Sequence, residues 1–230
     1  MTAAVLSVGL VAGSASADDK DQGPLRLELF QIGLGSLAGW IRGAGKPKQK
    51  GDEGQFGLYL QKNTKTANFS SAGGDFTGNV PKTATDLHTL AFDIPGVVGV
   101  GFKNFDPTKI GTGPNGAGAN GYCNNGSRRF NVFSFNGPPL PDFSNSVGTC
   151  FLGCASGDKT QDTVTGWWQI KFTEPFTQYA GCSVAPSGNI IVEVILDEGI
   201  DVGVTVGDSP GNVVLDNLRV NDKLIGKPTD

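Results

Sequence analysis

Gly166-Trp167-Trp168-Gln169-Ile170-Lys171-Phe172-Thr173 is the stretch that decides how this chain is read. Trp168, Ile170 and Phe172 fall on one parity and Trp167, Gln169, Lys171 and Thr173 on the other. In a strand successive side chains point to opposite faces, so this alternation describes a half-buried strand. The period of two recurs in both directions along the chain. Phe56, Leu58 and Leu60 alternate within 55–62, and Leu90, Phe92 and Ile94 share a face within 87–94. Further on, Ile190, Val192, Val194 and Leu196 form a set, then Val202, Val204 and Val206, and 213–220 closes the series. The 35 glycines and 13 prolines are scattered between these segments without a repeat, which excludes collagen-like and solenoid architectures. The best helical segment, Leu34 to Ile41, is cut short by Gly39, Gly43, Gly45 and Pro47. The expected fold is all-β: an antiparallel β-sandwich of jelly-roll type with at most one short helix. Residues 43–54 read as a solvated loop, and 106–121 as the longest Gly/Asn/Pro loop.

Residues 3–17 are small and apolar, end in Ala15-Ser16-Ala17 and are followed by the polar run DDKDQG. That is the pattern of a signal peptide, although no Lys or Arg precedes the apolar run. The expected organisation is a signal peptide over 1–17 and a single domain over 18–230, secreted or extracytoplasmic, with no membrane insertion after cleavage. A net charge of −4 supplies no basic field for phosphate backbones, so nucleic acid is not an expected partner.

Four cysteines, Cys123, Cys150, Cys154 and Cys182, suit an oxidising compartment. Their spacing lacks the tight pairs of a zinc site. Cys150 and Cys154 share a face if their segment is a strand, so bridges to two different neighbouring segments are easier than one between them. Three connectivities remain open; Cys123–Cys154 with Cys150–Cys182 is the favoured one.

The block Gly121 to Val132 (GYCNNGSRRFNV), followed by FLGCASG at 151–157, ILDEG at 195–199 and VVLDNLRVN at 213–221, resembles a group of uncharacterised secreted bacterial β-sandwich proteins. Those carry a C-x-x-G-S-P-R-F segment and a closing L-D-N-I strand; Arg128 stands here in place of the proline. The resemblance covers residues 55 to 225 and implies no activity. The closing D-N strand is also loosely similar to that of jelly-roll carbohydrate-binding modules.

Candidate chemistry is sparse. His88 is the single histidine and reads as a partly buried strand residue; no G-x-S-x-G supplies a nucleophile beside it. Gly111-x-Gly113-x-x-Gly116 and Gly33-x-Gly35-x-x-Ala38 imitate a dinucleotide fingerprint without a βαβ unit around them. Glu193 opposes Val192 and Val194 in parity and Glu198 follows in a turn, so both read as solvated rather than as a glycosidase pair. Asp216 shares parity with Val214, Leu218 and Val220 and is expected to face the core. A buried carboxylate must be hydrogen-bonded, paired or bound to a cation. Backbone amides explain it as well as the structural calcium that the likeness to jelly-roll modules implies, and both stay open.

Aromatic residues give the positive hint. Trp167 and Tyr59 are expected on the polar faces of their strands, with Gln169 beside Trp167, and Phe133 with Asn131 on another. Exposed rings beside amide side chains suit the apolar face of a sugar. The leading expectation is a secreted, non-catalytic binding domain for a glycan or cell-wall polymer. A structural or surface-associated protein with an extracellular protein partner, and a secreted hydrolase, are the alternatives.

Overall fold

The computed structural model describes residues 23–33, 35–48, 55–62, 71–95, 106–110, 122–123, 128–154, 156–197 and 211–228. Its strands, in chain order, are β1 (Arg26–Ile32), β2 (Ser36–Arg42), β3 (Phe56–Lys62), β4 (Ser71–Thr77), β5 (Thr89–Ile94), β6 (Asp106–Ile110), β7 (Tyr122–Cys123), β8 (Arg128–Phe135), β9 (Ser146–Gly153), β10 (Asp158–Gln161), β11 (Trp168–Thr173), β12 (Asn189–Asp197), β13 (Gly211–Val220) and β14 (Lys223–Ile225). One sheet runs β1-β4-β12-β8-β9; the other runs β10-β11-β5-β13-β3-β2, with β14 paired to β13. Every pairing within these two sheets is antiparallel, whereas β6 and β7 form a separate parallel pair. Two antiparallel sheets sharing one core make a β-sandwich.

The alternation decides which side chains meet. Leu58, Leu60, Leu90, Phe92, Ile170 and Phe172 of one sheet pack against Phe130, Val132, Leu152, Val192 and Val194 of the other. Phe130 sits among three rings, with centroids 5.4 Å from Phe92 and 6.1 Å from both Phe76 and Phe172. Deleting such a ring costs about 3–5 kcal/mol, the lost burial plus the cavity left behind.

Three local expectations are corrected. The expected helix is replaced by a strand: Ser36–Arg42 is β2, paired to β3 with Ala38 opposite Leu60, and Leu34 lies outside the described residues. Ala38 is buried while Leu37 and Ile41 stay exposed, as an edge strand over one layer requires. Among the described residues the only helical turns are the three-residue 3₁₀ segments Ala84–Asp86 and Phe176–Gln178. The segment 43–48 is not a solvated loop; it is a strap folded onto the seven-stranded sheet, with Gly45 buried and a Cβ there colliding with the Phe56 carbonyl. Part of the long Gly/Asn/Pro loop is β6, and 111–121 lie outside the described residues, as do 49–54, Glu198 and the 202–206 valines.

The sequence parity of Asp216 also fails, for a physical reason. Val213 and Leu215 face the core, and so do Leu218 and Val220, which means the inward parity switches within β13. The switch is a bulge: the register against β5 shifts between Asp216 and Arg219, and Asn217 adopts φ 48°. Asp216 is therefore buried, at 3% exposure, but on the outer side of the sheet.

Cys150 and Cys182 form a disulfide across 32 residues. Loop closure in the unfolded chain makes that worth about 3–4 kcal/mol. Cys150, Leu152 and Cys154 share the inward face, as the spacing predicts. The bridge pins the following segment along the edge strand β9, where Ser183 N–H donates to Thr149 O (2.8 Å), so that edge is partly occupied. The Cys123 side chain, and with it the expected Cys123–Cys154 bridge, lies outside the described residues.

Candidate functional site

Both sheets carry polar residues on their outer faces, and the two sets differ in kind. On the five-stranded sheet the register sets one row across all five strands: Glu28, Asp75, Glu193, Asn131 and Phe151. Neighbours in such a row stand about 5 Å apart, close enough for their side chains to touch. Asn131 is buried; its Nδ2 donates to Glu193 Oε2 (3.0 Å) and its Oδ1 accepts from Arg129 Nε (2.6 Å). The Arg129 guanidinium lies 4.9 Å from the centroid of Phe151, a ring that is 46% exposed. Phe133, on the next row, meets Phe151 edge-on at 6.2 Å and Phe143 at 5.2 Å.

Asp75 and Glu193 are register partners on adjacent strands, and their carboxyls influence each other electrostatically. Burial, and then the Asp75 charge, push the Glu193 carboxyl up to about 7. Burial likewise raises Asp75, to about 6, and the Glu28 charge acts in the same direction. Two neighbouring carboxyls cannot both ionise cheaply, so the pair holds a proton close to neutrality. Glu193 is thus not the solvated strand residue its parity suggested, and Asp75 was not singled out. The available signal was a carboxylate inside an apolar strand, with no lysine or arginine directly across from it.

The outer face of the seven-stranded sheet holds Asp216, Gln169, Trp167 and Tyr59. Trp167 is only 7% exposed, which removes it as an open platform. It precedes β11 rather than belonging to it, and a turn closes around it through Gly166 N–H to Asp162 O (2.7 Å) and Asp162 N–H to Trp167 O (2.8 Å). Tyr59 is half-buried and its hydroxyl donates to Gln61 Oε1; burial raises its ionisation point. Gln169 is half-buried, with Nε2 3.5 Å from Asp93 Oδ1. β5 and β13 lie between β11 and β3, which separates the Trp167 and Tyr59 strands by about 14 Å. No Trp167–Tyr59 groove forms, and Asn131 and Phe133 are on the opposite side of the molecule. The five expected ligand-binding residues therefore divide between two faces.

Asp216 Oδ2 accepts the Lys46 backbone N–H (2.7 Å) and its Oδ1 the Asn217 N–H (2.6 Å). Its register partner Asp93 is 2% exposed and accepts from Lys46 Nζ (3.1 Å) and Asn217 Nδ2 (2.8 Å). Lys46 Nζ also lies 3.4 Å from Asp162. Of the two explanations open for Asp216, hydrogen bonding to loop amides is the one observed, with Lys46 supplying the positive charge. Among the described residues no three His, Cys, Asp or Glu side chains are grouped to hold a metal ion. Burial raises Asp216 to about 6 despite those amides, while the Thr165 hydroxyl holds Asp162 down at about 2. His88 is exposed rather than partly buried and pairs with Glu174 (3.0 Å).

No protein family, curated protein or solved structure matches the chain. Among the described residues no helix is long and apolar enough to cross a membrane.

Proposed function

We propose that the chain is an exported, non-catalytic glycan-binding β-sandwich whose binding surface is the outer face of the five-stranded sheet. The observation that carries this reading is the register row ending in an exposed ring: Glu28, Asp75, Glu193, Asn131, then Phe151. Phe151, backed by Arg129, offers an apolar face for a sugar ring; the amide and carboxyl groups beside it offer donors and acceptors for hydroxyls. Hydrogen bonds among Arg129, Asn131 and Glu193 hold those groups in place before a ligand arrives, which lowers the ordering cost of binding. Export is supported by the A-S-A leader and the Cys150–Cys182 bridge. Pull-down on insoluble polysaccharides tests the reading: Phe151→Ala should lower retention about tenfold, the loss of one stacked ring. Retention unchanged in that variant would reject it.

One observation favours a second reading, a hydrolase: a carboxyl pair ionising near neutrality can donate and accept protons. Glycosidase carboxyls stand about 5–9.5 Å apart, leaving room for the reacting atoms. Asp75 and Glu193 are direct cross-strand neighbours rather than carboxyls facing across a cleft, which favours binding over glycoside cleavage. Release of reducing ends by wild type, abolished in Glu193→Gln, would reverse that order.

A further inference from the structure

The four edges of the sandwich are not guarded alike. β10 is four polar residues long and carries Asp158 and Lys159, β9 has Ser183 N–H on Thr149 O, and β1 sets Arg26 and Glu28 on its outer side. Charges and covering segments of this kind keep an edge from pairing with other chains. β2, the last strand of the seven-stranded sheet, has neither. Leu37-Ala38-Gly39-Trp40-Ile41 is uncharged throughout, and among the described residues no strand pairs its far side. We infer that this edge joins a second copy of the chain, β2 against β2 antiparallel, about a two-fold axis at Gly39.

The backbone requires a strand as partner. Gly43 N–H donates to Gln55 O (2.7 Å), one step beyond the Arg42–Phe56 pair, so by alternation 37, 39 and 41 turn their backbone groups toward β3. Ala38 and Trp40 therefore present theirs to the open edge. Gln31 Nε2 reaches Ala38 O there at 3.5 Å, the long end of a hydrogen bond.

The side chains make the strand its own complement. Leu37 and Ile41 flank Gly39 on the outer face, 44% and 43% exposed, and a Cβ at Gly39 would have no atom within 4 Å. Centring the pair on Gly39 sets Leu37 opposite Ile41 twice and lets Ala38 and Trp40 exchange both backbone hydrogen bonds. It also sets Arg42 opposite Ser36 instead of a second Arg42. Registers centred on Ala38 or on Trp40 oppose both aliphatic side chains to glycines, Gly35 and Gly39 or Gly39 and Gly43. An interface in which the same residues exchange roles closes on a dimer.

Sedimentation equilibrium of the full chain should show a monomer–dimer equilibrium in the micromolar range, the regime of a small interface. Ile41→Lys, at a position already exposed, should weaken it about tenfold, because symmetry counts the change twice. In wild type, amide exchange at Ala38 and Trp40 should slow as concentration rises. Gly39→Cys reads the register, since opposed Cα atoms about 4.5 Å apart allow a disulfide between copies. Leu37→Cys leaves its two Cα atoms about 14 Å apart and should not link. A chain that stays monomeric throughout that range, association unchanged in Ile41→Lys, or linkage as efficient in Leu37→Cys as in Gly39→Cys would each overturn the proposal.

Discussion

The two outer faces treat their carboxylates differently. Each sheet takes a pair of carboxylates out of full contact with water on its outer face: Asp93 and Asp216 are buried, Asp75 and Glu193 half-buried. On the seven-stranded sheet Asp93 and Asp216 are answered by the Lys46 ammonium, two backbone amides and Asn217. On the five-stranded sheet Asp75 and Glu193 have Asn131 and the Arg129 charge but no ion pair of their own, and burial raises both, as it raises Asp216 despite its amides. The first arrangement fastens a strap; the second leaves ionisable groups beside an exposed ring.

The strap is the place to expect the largest stability effect. Lys46→Met leaves Asp93 buried without its cation and should cost about 3 kcal/mol, read as a lower denaturant midpoint at unchanged slope. A variant as stable as wild type would show that packing and the backbone hydrogen bonds of the strap hold it without the ion pair. The corresponding change on the other face has the opposite sign. Glu193→Gln removes a carboxyl that burial already disfavours as an ion, so thermal stability at neutral pH should hold or rise while glycan retention falls.

The shifts of Asp75, Glu193 and Asp216 also predict a pH profile. Their folded values, about 6, 7 and 6, lie above the ordinary 3.8, 4.5 and 3.8, so the native state binds protons more tightly than the unfolded chain. The stability they contribute is fully present below the ordinary values and is lost as pH rises through the folded ones. Melting temperature should therefore climb as pH falls from about 7.5 towards 4.5, and Glu193→Gln should flatten the upper part of that climb. A melting temperature that falls steadily over this window would contradict the assignment. The smallest stability effect belongs to Phe151→Ala, expected within about 0.5 kcal/mol because the ring is largely exposed. Its effect should appear in binding alone.

What was legible in the sequence follows from periodicity. Leu58, Leu60, Leu90, Phe92, Ile170, Phe172, Val192 and Val194 all face the core as their alternation predicts, because a strand side chain has only two directions to choose from. The failures arise where one residue breaks that count or where a layer comes from elsewhere in the chain. A single bulge at Asn217 reverses Asp216, and nothing in VVLDNLRV marks where the extra residue falls. Trp167 counts as outward from Trp168, yet a turn closes over it. Glycines that argue against a helix in 34–41 are tolerated in a strand whose neighbour supplies the hydrogen bonds. The Asp75–Glu193 pairing depends on which strands are neighbours, and that order is set by tertiary pairing across more than a hundred residues.

The most direct test of the binding face is a chemical-shift map of the full chain with soluble oligosaccharides from whichever insoluble polysaccharide retains it. The account predicts shifts concentrated on Arg129, Asn131, Phe151 and Glu193, with the Glu193 carboxyl changing its ionisation on binding. Shifts confined to Tyr59, Gln169 and their neighbours on the seven-stranded sheet, with the Asp75–Glu193 row unmoved, would contradict it.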